Sequence, residues 1–308
     1  SDDIDPAQTD DDYPGKQFNV VTYTGNGSTQ SINVGLQPDF LWFKNRGTAN
    51  SWVVFDSTRG TTKTFNSDKT NAEQTGAYTN LDAFTSTGFD LDGGGTGDVN
   101  QSSANLIAYC WRANGGTTAS NSDGSITSTV QANTAGGFSI ILYTGTGSNA
   151  TIGHGLSAAP DFMLFKRRSG PAQNWKVYHT SIGATKVLTL NDDRAPETDS
   201  TMFQNTEPTN SVASIGTQSN VNTSGLDYVC YAWHNVEGFQ RFGSYAGNGN
   251  ADGTFVYTGF RPRMLFTKKT TGVGGWRTRD TARDTYNPSD TILWWDLSQQ
   301  EYSNSNYR

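Results

Sequence analysis

The sequence predicts an all-β protein made of tandem antiparallel β-sandwich repeats of jelly-roll-like character. Three observations carry that prediction. The chain of 308 residues is poor in charge (17%) and rich in glycine (34 residues) and aromatics (12%). Thr and aromatic residues favour strands, and Gly, Asn, Asp and Ser favour tight turns. No window sustains apolar residues at i, i+3, i+4 and i+7, so amphipathic helices are absent. The third observation is repetition. "YTGNGSTQSINVGLQPDFLWFKNRG" opens at Tyr23, "YTGTGSNATIGHGLSAAPDFMLFKRRSG" at Tyr143 and "YAGNGNADGTFVYTGFRPRMLFTKKTTG" at Tyr245. A copy of roughly 100 residues suits a sandwich, whereas a parallel β-helix would repeat every 20–30 residues or so.

Residues 1–16, "SDDIDPAQTDDDYPGK", set six aspartates against one lysine and read as an acidic linker. The chain's net charge is −7, so the part beyond the linker is nearly neutral. That balance excludes a nucleic-acid partner, which requires a basic face, and an anionic membrane surface. No apolar run reaches the length of a membrane-spanning helix, and no signal-peptide core opens the chain. A chain starting at Ser1 without an initiator Met reads as a fragment or a processed product.

Each copy begins with a strand, "FNVVTYTG", "FSIILYTG" or "FQRFGSYAG", that runs into a Gly-x-Gly turn. The paired glycines supply positive φ for a hairpin-type connection. Phosphate binding is disfavoured, because no helix pattern comes after the turn. Next come "PDFLWFK", "PDFMLFK" and "PRMLFTK", which read as buried strands bounded by proline. Their closing residues, Lys44, Lys166 and Lys268, are expected at solvated strand ends. A Trp-led strand comes next, at Trp52, Trp175 and Trp276. Asp56, His179 and Asp280 then take equivalent places, and a position that alternates between Asp and His does not hold one catalytic role.

Copies one and two close on related strands, "LIAYCWRA" and "YVCYAWHN". Aligning Trp111 with Trp233 puts Cys110 opposite Ala232 and Cys230 opposite Ala108. Each cysteine therefore reads as a small buried hydrophobe, without a disulfide between them. The polar segment 114–136 reads as a linker. The division expected is thus a linker over 1–16, a repeat over 17–113, a linker over 114–136, a repeat over 137–236 and a partial repeat over 237–308. The third copy stops before its closing strand. An open sheet edge is a sticky template, so the missing strand is expected from a continuation past Arg308. Donation by another chain and tight packing of copy three on copy two are the alternatives.

Little in these residues looks like chemistry. Asp90, Asp92 and Asp98 in "DLDGGGTGD" begin like a calcium loop, but Gln101 stands where the bidentate Glu belongs. The expected reading is a solvated turn with no metal. The three histidines, His154, His179 and His234, show no zinc spacing, and no nucleophile elbow occurs. No cofactor is expected, and the chain reads as a non-enzyme. Neighbouring Trp294 and Trp295 would face opposite ways in a strand. Domain or subunit contact is favoured for them over stacking on a sugar.

The phrases "GHGLSAAPDFMLFK", "WKVYHTSIGATKVLTLN", "VNTSGLDYVCYAWHNVEGF" and "RDTYNP" resemble a repeat family of unknown function common in structural and tail-fibre proteins of marine bacteriophages, cyanophages included. The resemblance implies a non-enzymatic virion protein, in a tail fibre or surface decoration, that serves host-surface attachment. It further implies a virion or extracellular location and other virion proteins as partners. A homo-oligomer, with a trimer favoured by analogy, and a host cell-surface glycan complete the expected partners. The alternatives are a carbohydrate-binding module or polysaccharide depolymerase on a fibre, and a bacterial surface adhesin.

Overall fold

The computed structural model describes residues 13–76, 80–93, 98–250 and 252–303. After a short helical turn, α1 (Pro14–Gln17), unit one contributes β1 (Phe18–Thr24), β2 (Gln30–Asn33), β3 (Phe40–Asn45), β4 (Val53–Asp56), β5 (Lys63–Thr64), β6 (Gln74–Thr75), β7 (Leu81–Thr85), β8 (Gly88–Leu91) and β9 (Asn105–Trp111). Then come β10 (Ala119–Asn121) and β11 (Ser128–Asn133). Unit two holds β12 (Phe138–Thr144), β13 (Ala150–Gly153), β14 (Phe162–Arg167), β15 (Lys176–His179), β16 (Lys186–Thr189), β17 (Glu197–Thr198), α2 (Ser200–Phe203), β18 (Val212–Ile215) and β19 (Asp227–Trp233). Unit three has β20 (Met264–Thr267), β21 (Arg277–Asp280), β22 (Thr291–Trp294) and β23 (Tyr302–Ser303). The protein is all-β, and its named strands pair antiparallel.

Units one and two are two-layered. The inner sheet of unit one runs β1-β9-β3-β4, and its outer sheet β2-β8-β7. Between them lies a core of Leu41, Phe43, Phe55, Phe89, Leu91 and Cys110. Unit two repeats the order as β12-β19-β14-β15 beneath β13-β18. Its own core includes Ile141, Phe165, Tyr178, Phe203 and Cys230. Each closing strand lies between two others, so β9 meets β1 at Phe18↔Trp111 and β3 at Phe40↔Trp111. Being central, it is buried on both faces, which is why it reads as a continuous apolar run. Cys110 and Cys230 are free and buried, and burial pushes both thiols up.

The inner faces of all three sheets meet in a further core. It joins Phe40, Trp52 and Tyr109 of unit one to Phe162, Trp175 and Tyr231 of unit two and to Trp276, Leu293 and Trp295 of unit three. Unit three is a single layer among the described residues, β20-β21-β22-β23. Its outward positions mix polar side chains with apolar ones such as the exposed Leu265. Thr267 stands where units one and two have Phe43 and Phe165, and Arg279 where they have Phe55 and Tyr178. A one-sided alternation lets a sheet face solvent without a second layer.

The segment 114–136 is not a plain linker, contrary to the expectation from its composition. β10 and β11 extend the sheet of unit two, and Val130 pairs with Ile141. Gln131 is fully buried and donates to the hydroxyls of Ser57 (3.0 Å) and Thr58 (2.7 Å) while accepting from the Gly116 amide (2.9 Å). Polar side chains that find partners inside the protein build structure as well as apolar ones do. Of the expected acidic linker, residues 1–12 lie outside the described residues.

Candidate functional site: the seams between units

The Trp-led strands supply a common frame. The backbone N–H of Trp52, Trp175 and Trp276 donates to Asp68, Asn191 and Asp296, respectively. Two residues before each acceptor lies a carbonyl that binds an indole of the next unit. Trp175 Nε1 donates to Asn66 (3.0 Å), Trp276 Nε1 to Thr189 (2.8 Å) and Trp52 Nε1 to Trp294 (2.8 Å). The order is head to tail and closed: unit two on one, three on two, one on three.

The recurrent lysine obeys the same rule, two residues after the acceptor. Lys166 Nζ donates to the Thr70 carbonyl (3.0 Å), Lys268 to Asp193 (2.9 Å) and Lys44 to Ser298 (3.1 Å). The sequence placed these lysines at solvated strand ends. Instead, Lys44 and Lys166 are fully buried, and Lys268 is half-buried. Backbone carbonyls at the seams compensate part of the cost of burial. Burial still pushes Lys166 down to about 7 and Lys44 to about 8, Asp68 and Asp98 partly opposing the latter.

Two of the three seams carry a buried ionic cluster. At the first, Arg59 bonds Asp56 (2.5 Å), Glu73 (3.2 Å) and the Tyr231 hydroxyl (3.2 Å), and Tyr231 donates to Asp56 (2.6 Å). Arg168 of unit two holds Glu73 in a fork at 2.8 and 3.3 Å. At the second, Arg283 bonds Asp280 (2.7 Å) and Glu301 (3.3 Å), and Tyr109 donates to Asp280 (2.7 Å). Arg46 of unit one forks Glu301 at 2.7 and 2.8 Å. Burial raises the Glu73 pKa, but Arg168 and Arg59 outweigh it and hold the carboxyl below its usual range. At the third seam the Asp and Arg positions are His179 and Ile182. Among the described residues unit three offers no closing strand there, and Phe242, Met264 and Phe266 pack against the shared core instead.

The residues singled out from sequence do not come together. Trp295 is buried and stacks on Trp52 at 5.1 Å, so it belongs to the third-to-first seam. Trp294 is half-buried beneath Arg277, 4.7 Å from its ring, and borders a surface depression of about 390 Å³ with Asp192, Asp193 and Asp296. Asp90 sits in β8, Asp92 is exposed, and Asp98 accepts from Asn50 at 2.5 Å. Residues 94–97, the middle of that loop, lie outside the described residues. Among the described residues, no three His, Cys, Asp or Glu side chains gather as a metal-binding group. The ionic clusters escaped sequence reasoning because their partners lie far apart along the chain. The one available signal was the shared spacing of Asp56–Arg59 and Asp280–Arg283.

Chemically, these groups neutralise one another within the seams. A lysine of lowered pKa is a nucleophile when substrate can reach it, but Lys166 is enclosed. What the arrangement does is clamp one unit to the next.

No curated protein and no solved structure matches the chain. One family model matches residues 13–308, across all three units. The chain therefore belongs to the family described as domain of unknown function DUF7483.

Proposed function

We propose that this chain is a non-enzymatic virion protein, part of a phage tail fibre or surface decoration, and that it serves attachment to the host surface. One observation carries the reading. The tryptophans and lysines that recur in all three copies, and the Arg–Glu pairs of two seams, are consumed in clamping units together. A repeat whose recurring polar residues all serve architecture suits a structural part better than a catalyst. The likeness of its phrases to marine phage tail-fibre repeats points the same way, by analogy. On this reading the protein is extracellular, contacts other virion proteins and assembles as a trimer. Immunogold labelling of virions tests it, with label on tail or capsid expected. Release of oligosaccharide from host polysaccharide, lost on changing a single acid, would overturn the non-enzyme reading.

The depression at Trp294 favours a second reading, a carbohydrate-binding module. An aromatic ring beside Asp192, Asp193 and Asp296 offers a stacking face and hydrogen-bond acceptors. A glycan array with the protein and with Trp294→Ala separates the two. Binding that the substitution abolishes supports glycan recognition at that spot.

A further inference from the structure

We infer that the depression in the seam between units two and three is a sugar site selective for hydrogen-bond donors, one that takes a neutral or amino sugar and rejects an acidic one. This selectivity rests on the carbohydrate-binding reading of Trp294, and it adds the ligand's polarity and the residue that opens the site. Directly before the tryptophans of the three Trp-led strands stand Ser51, Asn174 and Gly275. In unit one the Ser51 hydroxyl donates to Asp68, which also accepts the Trp52 amide. In unit two Asn191 accepts the Trp175 amide and donates to Asn174 at 2.8 Å. Each bridge ties the acceptor side chain back to the start of its strand.

Unit three has no such bridge. Asp296 Oδ1 accepts the Trp276 amide at 2.9 Å, and Gly275 has no side chain to offer the other oxygen. A Cβ on Gly275 would lie 2.7 Å from Asp296 Oδ2 and 2.8 Å from the Trp294 ring. Gly275 does not have a left-handed φ, so close approach rather than backbone conformation sets glycine there. Its absent side chain lets the carboxylate and the indole line one depression of about 390 Å³, which Asn191, Asp192, Asp193 and Leu297 complete. Asp296 is only 6% exposed, so its carboxylate is a built acceptor rather than a solvated surface charge. The depression lies against unit two where β21 begins and β22 ends, not on the free edge of β20.

The walls decide which sugar fits. An ionised carboxylate accepts hydrogen bonds and donates none, so Asp193 and Asp296 select hydroxyl or ammonium groups. The neighbouring cations are engaged. Arg194 holds Asp192 at 2.6 and 2.7 Å. Lys268 commits its ammonium to the carbonyls of Asp193, Arg194 and Gly274. Arg277 lies over the Trp294 ring, 4.7 Å from its centre. A sugar carboxylate would meet like charge here with no cation waiting to receive it, which is how a site rejects a wrong ligand. The half-buried indole supplies apolar contact for the C–H groups of a sugar ring, and the acceptors fix its orientation.

The probe is an array of oligosaccharides in matched sets, each neutral member beside its amino and its uronic-acid counterpart, incubated with the full chain. We expect neutral or amino members to bind about tenfold more tightly than their acidic counterparts. Asp296→Asn keeps an acceptor for the Trp276 amide, as Asn191 does for Trp175, so the fold is retained. It should weaken neutral and amino binding about tenfold and narrow the gap to the acidic members. Gly275→Ser copies unit one and should close the site, abolishing binding with the circular dichroism unchanged. No binding to any arrayed glycan, or binding that Trp294→Ala leaves intact, overturns the carbohydrate reading and the selectivity together. Binding that Trp294→Ala abolishes but that is equal for acidic members, or is unmoved by Asp296→Asn, overturns the selectivity alone.

Discussion

Arg59 and Tyr231 are enclosed from solvent and hold each other's carboxylate partners in place. Removing one member of a buried pair leaves an uncompensated charge. We expect Arg59→Met to cost about 3–5 kcal/mol in chemical denaturation, and Tyr231→Phe about 1–3 kcal/mol. Their double mutant should cost less than the sum, since both act on Asp56. The lysines make a pH prediction. Lys166 and Lys44 bind fewer protons folded than unfolded from pH 7–8, where burial has set them, to about 10, their unfolded value. Their contribution to stability therefore rises with pH through that window and is smallest below it. Melting temperature measured from pH 7 to 9.5 should climb, and Lys166→Met should flatten the climb. These roles could not be read in the sequence. "FK" at a strand's end looks like a solvated terminus, and what buries it is a carbonyl from another unit, 96 residues away for Lys166 and 254 for Lys44.

At the scale of elements, the strands of the recurring phrases were legible because each phrase carries its own pattern. Pro-bounded apolar runs marked β3 and β14, and the aromatic closing runs marked β9 and β19. The segment 114–136 was not legible, since its buried Gln131 and Asn133 are satisfied by groups of unit one rather than by water. Gln131→Ala should cost about 1–3 kcal/mol by leaving buried partners unmet, and should speed proteolysis within 114–136. The Gly-x-Gly turns permit a sharper comparison. Gly25→Ala and Gly145→Ala each force a methyl onto a backbone carbonyl and should destabilise by about 1–3 kcal/mol. The same change at Gly247 meets open space and should be nearly silent by the same denaturant titration.

The whole molecule has one core that no single unit owns. Trp52, Trp175 and Trp276, one from each copy, are all buried in it. Calorimetry should therefore show one cooperative transition rather than three, and a calorimetric enthalpy close to the van't Hoff value. Excised residues 17–113 would leave Phe40, Trp42 and Tyr109 facing water and should bind hydrophobic dyes. Two or three resolved transitions would instead mark the units as independent. Threefold recurrence was visible in the letters, but closure of the three into a ring was not. Strand patterns report which face is apolar, and they do not say whose face meets it. Nor do they show that the described residues of unit three form a single layer. That depends on Thr267 and Arg279 occupying its outer surface, a placement fixed by strand register rather than by composition.

The seam joining the first and third units also decides how the protein would bear force. Arg46 and Glu301 are 255 residues apart in the chain yet bonded. A pull on residues 18 and 303 loads this clasp together with the edge strand β1, where Phe18 pairs with Trp111. When the clasp gives way, residues 237–303 can release about 220 Å of slack at roughly 3.3 Å per residue. Drawn between two anchors, the molecule would yield in one long early step, absorbing a shock that a stiff rod would pass on to whatever it holds.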